Sequence, residues 1–524
     1  MKNILSLIIL TLLSGTLALG QSLDDAIRFS QTGLTGTARS AAMGNAFGAL
    51  GGDFSSLSIN PAGIAIYRSS EVSITPSLIY NNTKSTYFGS YSEDDDWSFP
   101  FNQIGFVSTN KMLNGDEKGI VSTHFAMGYN RLNNFNQNSV IQGDGVKSSM
   151  LGQFVIDADG YYPDQLDGFG NSLAFSTWLI DTLPGIGNQY FNAWKAIDQD
   201  GNVFWRANNG LDQRRVTDKS GYAGEYVFTM GINISNFLMI GGTFGIQSIH
   251  YRETSTYSEY NSYGLYYEDS DITTPRDADL DYYNYYSYLN QTGTGLNFKF
   301  GVIIKPIPIL RLGASIHTPT YYSILEQWDN QIVVHYKGDT EPLTETSKVG
   351  EYNYNFRTPF KATGSAALVL GKYMILSADY EYSNYSSSEF KPIAYSDNHL
   401  KDLNSLKDLN SQIDKRFKKA HKFRGGIEFK PLPQVGFRGG ISYQDTPYKE
   451  QYQDKQSTFL TYSSGIGYRT MRYFIDFAYM LTNREYDYYN YNWDSSNDEY
   501  HGTPQPARIA SKDNQFILTL GYRF

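Results

Sequence analysis

The sequence predicts an all-β fold, a transmembrane antiparallel β-barrel, on three observations. The first is alternation. Along the last strand Phe516, Leu518, Leu520, Tyr522 and Phe524 share one face, and Gln515, Thr519 and Arg523 share the other. Such alternation gives each strand an apolar outer face and a polar inner one. The second is the rhythm of connections, short turns alternating with long polar stretches. The third is composition. Tyr (44) and Phe (31) are abundant and mean hydropathy is −0.43. After residue 20 no apolar run is long enough for a spanning helix. In lipid every backbone polar group must be paired, which leaves helices or closed barrels.

The start of the chain reads as a secretory signal over 1–20. Lys2 is its one charge, residues 4–13 are apolar, and Ala18, Leu19 and Gly20 suit cleavage before Gln21. Without Lys2 the chain keeps 42 of its 43 basic residues against 53 acidic ones, a net charge of −11, which argues against nucleic acid as a partner. With no cysteine, disulfides, thiolate metal sites and a lipidated N-terminal cysteine are excluded.

Residues 36–67 are rich in Gly, Ala and Ser, too small for a sound helix and too apolar for a solvated linker. Glycine lets backbone approach backbone closely. Asn60-Pro61-Ala62-Gly63 breaks the segment, since the residue before proline leaves the helical region. The segment is expected to be a compact plug, with 21–67 forming an N-terminal extension and hatch inside the barrel lumen.

Residues 68–524 then form the barrel, with long extracellular loops at 131–221, 251–292, 383–420 and 483–512. In the first, Phe175, Trp178 and Leu179 suit one face of a short helix, with Trp194 nearby. They either anchor the loop onto itself or form an external hydrophobic groove. The second holds eleven tyrosines among acidic and hydroxyl residues, as a loop or a strand extension above the membrane. The third repeats a Lys-Asp-Leu-Asn-Ser unit at 401 and 407 and ends in the basic run 415–419. That stretch is a solvated helix or a surface for anionic headgroups. Two strands share a repeat, Lys305-Pro306-Ile307-Pro308 and Lys430-Pro431-Leu432-Pro433. Proline is barred from central strands, so both mark short periplasmic turns. About fourteen or fifteen strands are visible, and bacterial barrels of this type are even-numbered. On the face assignment of the last strand, Leu518→Arg is expected to be damaging and Thr519→Arg mild.

A small-residue segment ending in Asn60-Pro61-Ala62-Gly63, after a signal and before a chain of strands, resembles the hatch of the FadL family. Those are outer-membrane transporters of long-chain fatty acids and aromatic hydrocarbons. Residues 311–320 (RLGASIHTPT), Thr358-Pro359 and 376–382 (LSADYEY) are similar to family strands, and the terminal Phe524 resembles an outer-membrane barrel signal. The resemblance implies fourteen strands, an external ligand groove, a gate at Asn60, Pro61, Ala62 and Gly63, and a sideways exit through the wall. Strand order alone puts that exit near 119–129. The long loops depart from the family pattern.

No Gly-rich phosphate loop, GxSxG or HExxH occurs, and the seven histidines are scattered. The chain is read as a non-enzyme with no cofactor and no metal. Inward charges at Arg311, Arg424, Arg438, Arg472 and Asp476 either brace the barrel as ion pairs or steer an amphipathic acid. The expected function is passive uptake of hydrophobic or amphipathic small molecules across the bacterial outer membrane. The chain would be a monomer among outer-membrane lipid and lipopolysaccharide. Two alternatives stand beside it: a docking partner in protein secretion that binds a protein at its extracellular loops, and a haem-binding receptor.

Overall fold

The computed structural model describes residues 22–33, 36–112, 119–265, 272–276, 278–393, 399–451, 458–491 and 504–524. The expected signal at 1–20 lies outside these residues. Fourteen antiparallel staves close into a ring. The first is Glu71–Tyr87. The second runs as Ser90–Ser98 and Phe101–Lys111, the third as Ile120–Asn134 and Gln137–Val146. Leu211–Ile234, Leu238–Tyr260 and Leu280–Ile307 follow. The seventh is Leu310–His317 with Tyr321–Tyr336, and the eighth Gly350–Arg357 with Lys361–Leu370. Met374–Asn384, Lys419–Phe429, Val435–Gln444, Phe459–Arg469, Tyr473–Tyr488 and Ala507–Arg523 complete the ring. Closure is made by the first and last staves, paired from Glu71↔Arg523 to Thr86↔Arg508. Shorter strands such as Leu343–Thr346 and Glu389–Pro392 pair outside the ring proper.

Among the described residues, the short turns after the fourth, sixth, eighth, tenth and twelfth staves lie at the end that holds Glu71 and Phe524, while the two-residue turn Phe88-Gly89 lies at the other. The register fixes this, because Leu238↔Ile304, Leu310↔Leu368, Met374↔Phe429 and Tyr473↔Tyr522 are terminal rungs of successive pairs. Both Pro-x-Pro repeats turn at that end. Between the fourth and fifth staves Ser235 and Asn236 both take positive φ, 53° each. Two such residues match the right-handed twist of a tight hairpin.

Proline bends three staves. Pro100 divides the second, Pro319 the seventh and Pro359 the eighth. The last two bends are adjacent: Thr358 N donates to Thr320 O (3.0 Å) and Thr320 N to Thr358 Oγ1 (2.8 Å). The third stave bends inward after Asn134. Its continuation lies against the inner face of the first, where Ser85 Oγ donates to Val140 O and Tyr87 packs on Ile141 and Val146.

Above the ring 251–292 takes the strand-extension form of its two expected ones, and the third stretch holds a helix. Residues 251–260, 280–292, 483–488 and 507–512 are strand, because the staves continue upward. Tyr257 stacks near Tyr283 and Tyr260 near Tyr282 across the rungs, and such cross-strand aromatic pairs stabilise a sheet. Residues 383–420 contain the helix His399–Arg416. Residues 147–210 fold into a cap, with helices Leu151–Ala158 and Asn171–Ser176 and two small hairpins, on a core of its own.

The face assignment of the last stave is as read from the sequence: Leu518 is 37% exposed on the outer wall and Thr519 0%. Tolerance at Thr519 is corrected. Its hydroxyl accepts from Ala38 N (2.7 Å) and meets Thr75 Oγ1 (2.9 Å), so no long side chain fits there. Leu518→Arg should block insertion, a cation on the lipid face costing about 2–4 kcal/mol near the midplane. Thr519→Arg should insert but expel the segment around Ala38. Heat-modifiable gel mobility reads the first and protease access to 37–50 the second; equal behaviour of the two variants would contradict this arrangement.

Candidate functional site

Residues 37–67 lie within the ring and are almost wholly buried. Their small side chains explain why a lumen already carrying long ones can hold them. Gly44 sits so close to the wall that an added Cβ would fall 2.7 Å from Ile441 O. Asn60 and Pro61 meet wall glycines: a Cβ at Gly301 would lie 1.8 Å from Asn60 Oδ1, and one at Gly241 2.3 Å from Pro61 O. Asn60 caps the turn Pro61–Ile66 by accepting from Ala62 N (3.1 Å), and its Nδ2 donates to Gly48 O (2.6 Å) and Val302 O (3.2 Å). Ala62 and Gly63 are buried in the same turn.

Charges tie the segment to the wall. Arg39 pairs with Glu428 (2.8 Å), Glu428 with Arg438 (2.8 Å), and Arg438 with Asp476 (2.7 Å). Arg311 donates to Leu50 O (2.7 Å). Arg424 pairs with Glu381 (3.0 Å) and lies near Asp379, which accepts from Gly48 N (3.0 Å). Arg472 is a correction to the lumen group. It lies in the turn before Tyr473, with an exposed side chain, because the inward–outward alternation stops where the strand does.

A second internal element was not foreseen. The helix Leu23–Ser30 crosses the lumen above 37–67. Ser22 and Asp25 close a capping box at its start, a Ser-x-x-Asp signal that the sequence displays. Phe29 packs edge-on to Phe356 (5.6 Å between centroids). Arg28 lies 3.7 Å over the Tyr251 ring and donates to Gln291 Oε1 (2.8 Å). Burial pushes the Asp25 carboxyl above its usual pKa, with Arg28 pulling it down.

Between this helix and 37–67 lies a chamber of about 200 Å³. Asn45, Ser58 and Ile59 contribute to one side and Phe29–Gly33 to the other. Its wall is polar. Lys361 Nζ donates to Ser30 O (3.1 Å) and Thr32 Oγ1 (3.0 Å), and Lys422 Nζ to Thr32 O (3.2 Å). Neither lysine makes an ion pair among the described residues, while neighbouring Arg424 takes Glu381. Each ammonium has three donors, so both keep capacity for an acceptor. His317 also lines the chamber, with Nε2 2.9 Å from Ile59 O.

Beside the chamber the wall ladder stops. The second and third staves pair from Lys111↔Ser122 up to Gln103↔Asn130. Above that rung the second stays paired with the first while the third turns inward. Residues 119–129, where an exit was expected, are largely laddered, and the break in the ladder lies just above them, where Pro100 and the 135–136 bend part the strands. Leu132, Asn133 and Asn134 connect the break to the chamber.

The groove residues divide. Leu179 and Trp194 are fully buried in the cap core, Phe175 is partly buried against it, and Trp178 is exposed. Trp194 Nε1 donates to Glu259 Oε2 (2.8 Å), which also accepts from Ser149 Oγ, while Oε1 accepts from Met150 N, Gln213 Nε2 and Tyr257 OH. Leu179 and Trp194 thus hold the cap onto the strand extensions. Local spacing could not reveal this, since Glu259 comes from a strand far along the chain.

No family model and no curated protein matches the chain. Solved structures do. A FadL homologue of Pseudomonas aeruginosa is 14% identical over 94% of this chain and 98% of that one, with a TM-score of 0.48. The toluene transporter TodX of P. putida is 11% identical over 94% and 99%, with a TM-score of 0.48. A deltaS2 mutant of the TodX monoaromatic hydrocarbon channel is 11% identical over 93% and 98%, with a TM-score of 0.50. At this identity the last likeness is one of fold: the barrel resembles that of a hydrophobic-compound channel. Among the described residues no helix is long and apolar enough to cross a membrane, and an outer-membrane type of barrel does not require one.

Trp194→Ala should loosen the cap by about 3–5 kcal/mol, the usual cost of emptying a large aromatic site, and leave Glu259 one donor short. Trp178→Ala should change little. Limited proteolysis within 147–210 measures both, and equal sensitivity would refute the division between buried and exposed tryptophans.

Proposed function

We propose that the chain is a FadL-type outer-membrane channel for passive uptake of hydrophobic or amphipathic small molecules. In this reading 37–67 is the hatch, with Asn60, Pro61, Ala62 and Gly63 seating it against the wall. The observation that carries the proposal is a chamber enclosed between the N-terminal helix and that segment, next to a broken wall ladder. A water-filled pore offers an apolar solute no favourable path, whereas a closed chamber with a side route does. The ligand enters beneath the cap, rests in the chamber and leaves sideways.

The chamber's polarity favours amphipathic over purely apolar ligands. Lys361 and Lys422 hold the strap of residues 30–32 by its oxygens, and a carboxylate head competes for the same donors. Replacing both lysines with glutamine should lower uptake of a long-chain carboxylate severalfold and spare an alkane of equal length, each charge-assisted hydrogen bond being worth about 1.5–3 kcal/mol. Radiolabelled uptake by cells with and without the protein reads this, and equal loss for both ligands would show that the lysines serve structure alone.

Deleting residues 40–58 should leave the barrel inserted, raise leakage of small sugars in liposome swelling, and abolish selective uptake. A deletion variant as tight and selective as the parent would remove the hatch from the mechanism.

A further inference from the structure

Two buried amides flank the wall break, each with one unused hydrogen-bonding atom. Asn130 belongs to the last rung, Gln103↔Asn130. Asn102 is the extra residue where the first and second staves slip register, between Thr75↔Gln103 and Pro76↔Phe101. Both side chains are fully buried. Asn130 Nδ2 donates to Ser58 Oγ (2.9 Å), and Ser58 in turn donates to Glu225 Oε2 (2.9 Å). That chain fixes the amide's orientation, because the serine's one proton is committed to the carboxylate. Asn102 Oδ1 accepts from Ser77 Oγ (2.9 Å). What remains is Asn102 Nδ2, a donor, and Asn130 Oδ1, an acceptor, both without a partner among the described residues. A buried unsatisfied polar atom costs about 1–3 kcal/mol, and native folds keep few of them. Here two of opposite character stand on adjacent strand edges where the ladder has stopped.

On the outer side, Phe101 O, released by the bend at Pro100, is taken by Arg131 Nε (3.3 Å), whose guanidinium lies 4.8 Å from the Tyr222 ring. Phe99 and Phe101 are exposed there. The break therefore presents an apolar outer lip and, behind it, one donor and one acceptor.

We propose that Asn102 and Asn130 form a subsite for the hydroxyl-bearing head of an amphiphile: an alcohol, a phenol or a protonated carboxylic acid. A hydroxyl both accepts, from Asn102 Nδ2, and donates, to Asn130 Oδ1. An ether meets one of the two, an alkane neither, and a carboxylate held by Lys361 and Lys422 meets both only once it has taken up a proton. The subsite rests on the transport reading above and adds to it the class of head group that passes the wall. Through Ser58, its occupancy bears directly on residues 37–67.

The test uses the full protein with 1-decanol, decyl methyl ether and decane. Cells with the protein should take up decanol about fivefold faster than the ether, the fold-change of one net hydrogen bond. Asn130→Leu should erase that preference while ether uptake stays, and Asn102→Leu should lower decanol and ether alike while decane is unchanged. In lipid nanodiscs the Asn102 side-chain amide NMR resonance should shift with decanol and not with decane. This arm uses the native chain, so it stands even where a variant fails to fold. No preference in the native protein, an equal fall for all three solutes in the variants, or an unmoved amide resonance would overturn the subsite. If none of the three enters faster than in control cells but the amide still shifts, the transport reading fails and the subsite remains.

Discussion

Backbone pairing in a medium without water is the constraint on which this structure depends. An unpaired N–H or C=O in hydrocarbon costs several kcal/mol, so the sheet must close, and the first and last staves do so along fourteen rungs from Glu71 to Thr86. Departures from pairing then become informative. Each bend is met by a substitute bond: Thr320 and Thr358 bond each other beside their prolines, and Arg131 takes the carbonyl that Pro100 releases. Above Gln103↔Asn130 the substitution is incomplete, because one strand turns inward and the other stays in the wall.

The same constraint decided what was legible in the sequence. A barrel strand is half lipid-facing, so Leu518 and Thr519 declare their sides through polarity alone. The Pro-x-Pro repeats declared their turns because proline cannot serve a ladder. Asn60-Pro61 declared a break because local sterics suffice there. The cap was opaque for the opposite reason. Leu179 and Trp194 look like candidates for a surface groove until Glu259, supplied by a distant strand, gathers them into a core. Arg472 was misplaced because alternation was carried one residue past the end of a strand. The helix Leu23–Ser30 had its capping signal in Ser22 and Asp25, but its partners, Phe356, Tyr251 and Gln291, are far away in sequence.

The two halves of the luminal segment both pack on the wall and differ in their polar ties. Phe54, Leu57, Ile64 and Ala65 pack with Val107, Ala126, Val227, Met239 and Ile303 of the wall, and burying such side chains contributes about 25 cal/mol per Å². Residues 37–50 add to an apolar cluster of Met43, Phe47 and Leu50 with Ala367 a set of polar ties: hydrogen bonds from backbone N–H groups to wall side chains and the buried Arg39–Glu428 pair. A typical intramolecular hydrogen bond contributes only about 0.5–1.5 kcal/mol, whereas parting a buried ion pair such as Arg39–Glu428 costs more. Both halves are therefore held by apolar packing, and the half nearer the N-terminus carries in addition the ion pair to the wall. Ser58 stands at their junction, bonded at once to Glu225 and to Asn130 beside the broken ladder. On the proposed function, a ligand that rearranges Asn130 acts first at that junction, and the hatch and the wall break would be coupled through one serine hydroxyl and the Glu225–Lys299 pair behind it.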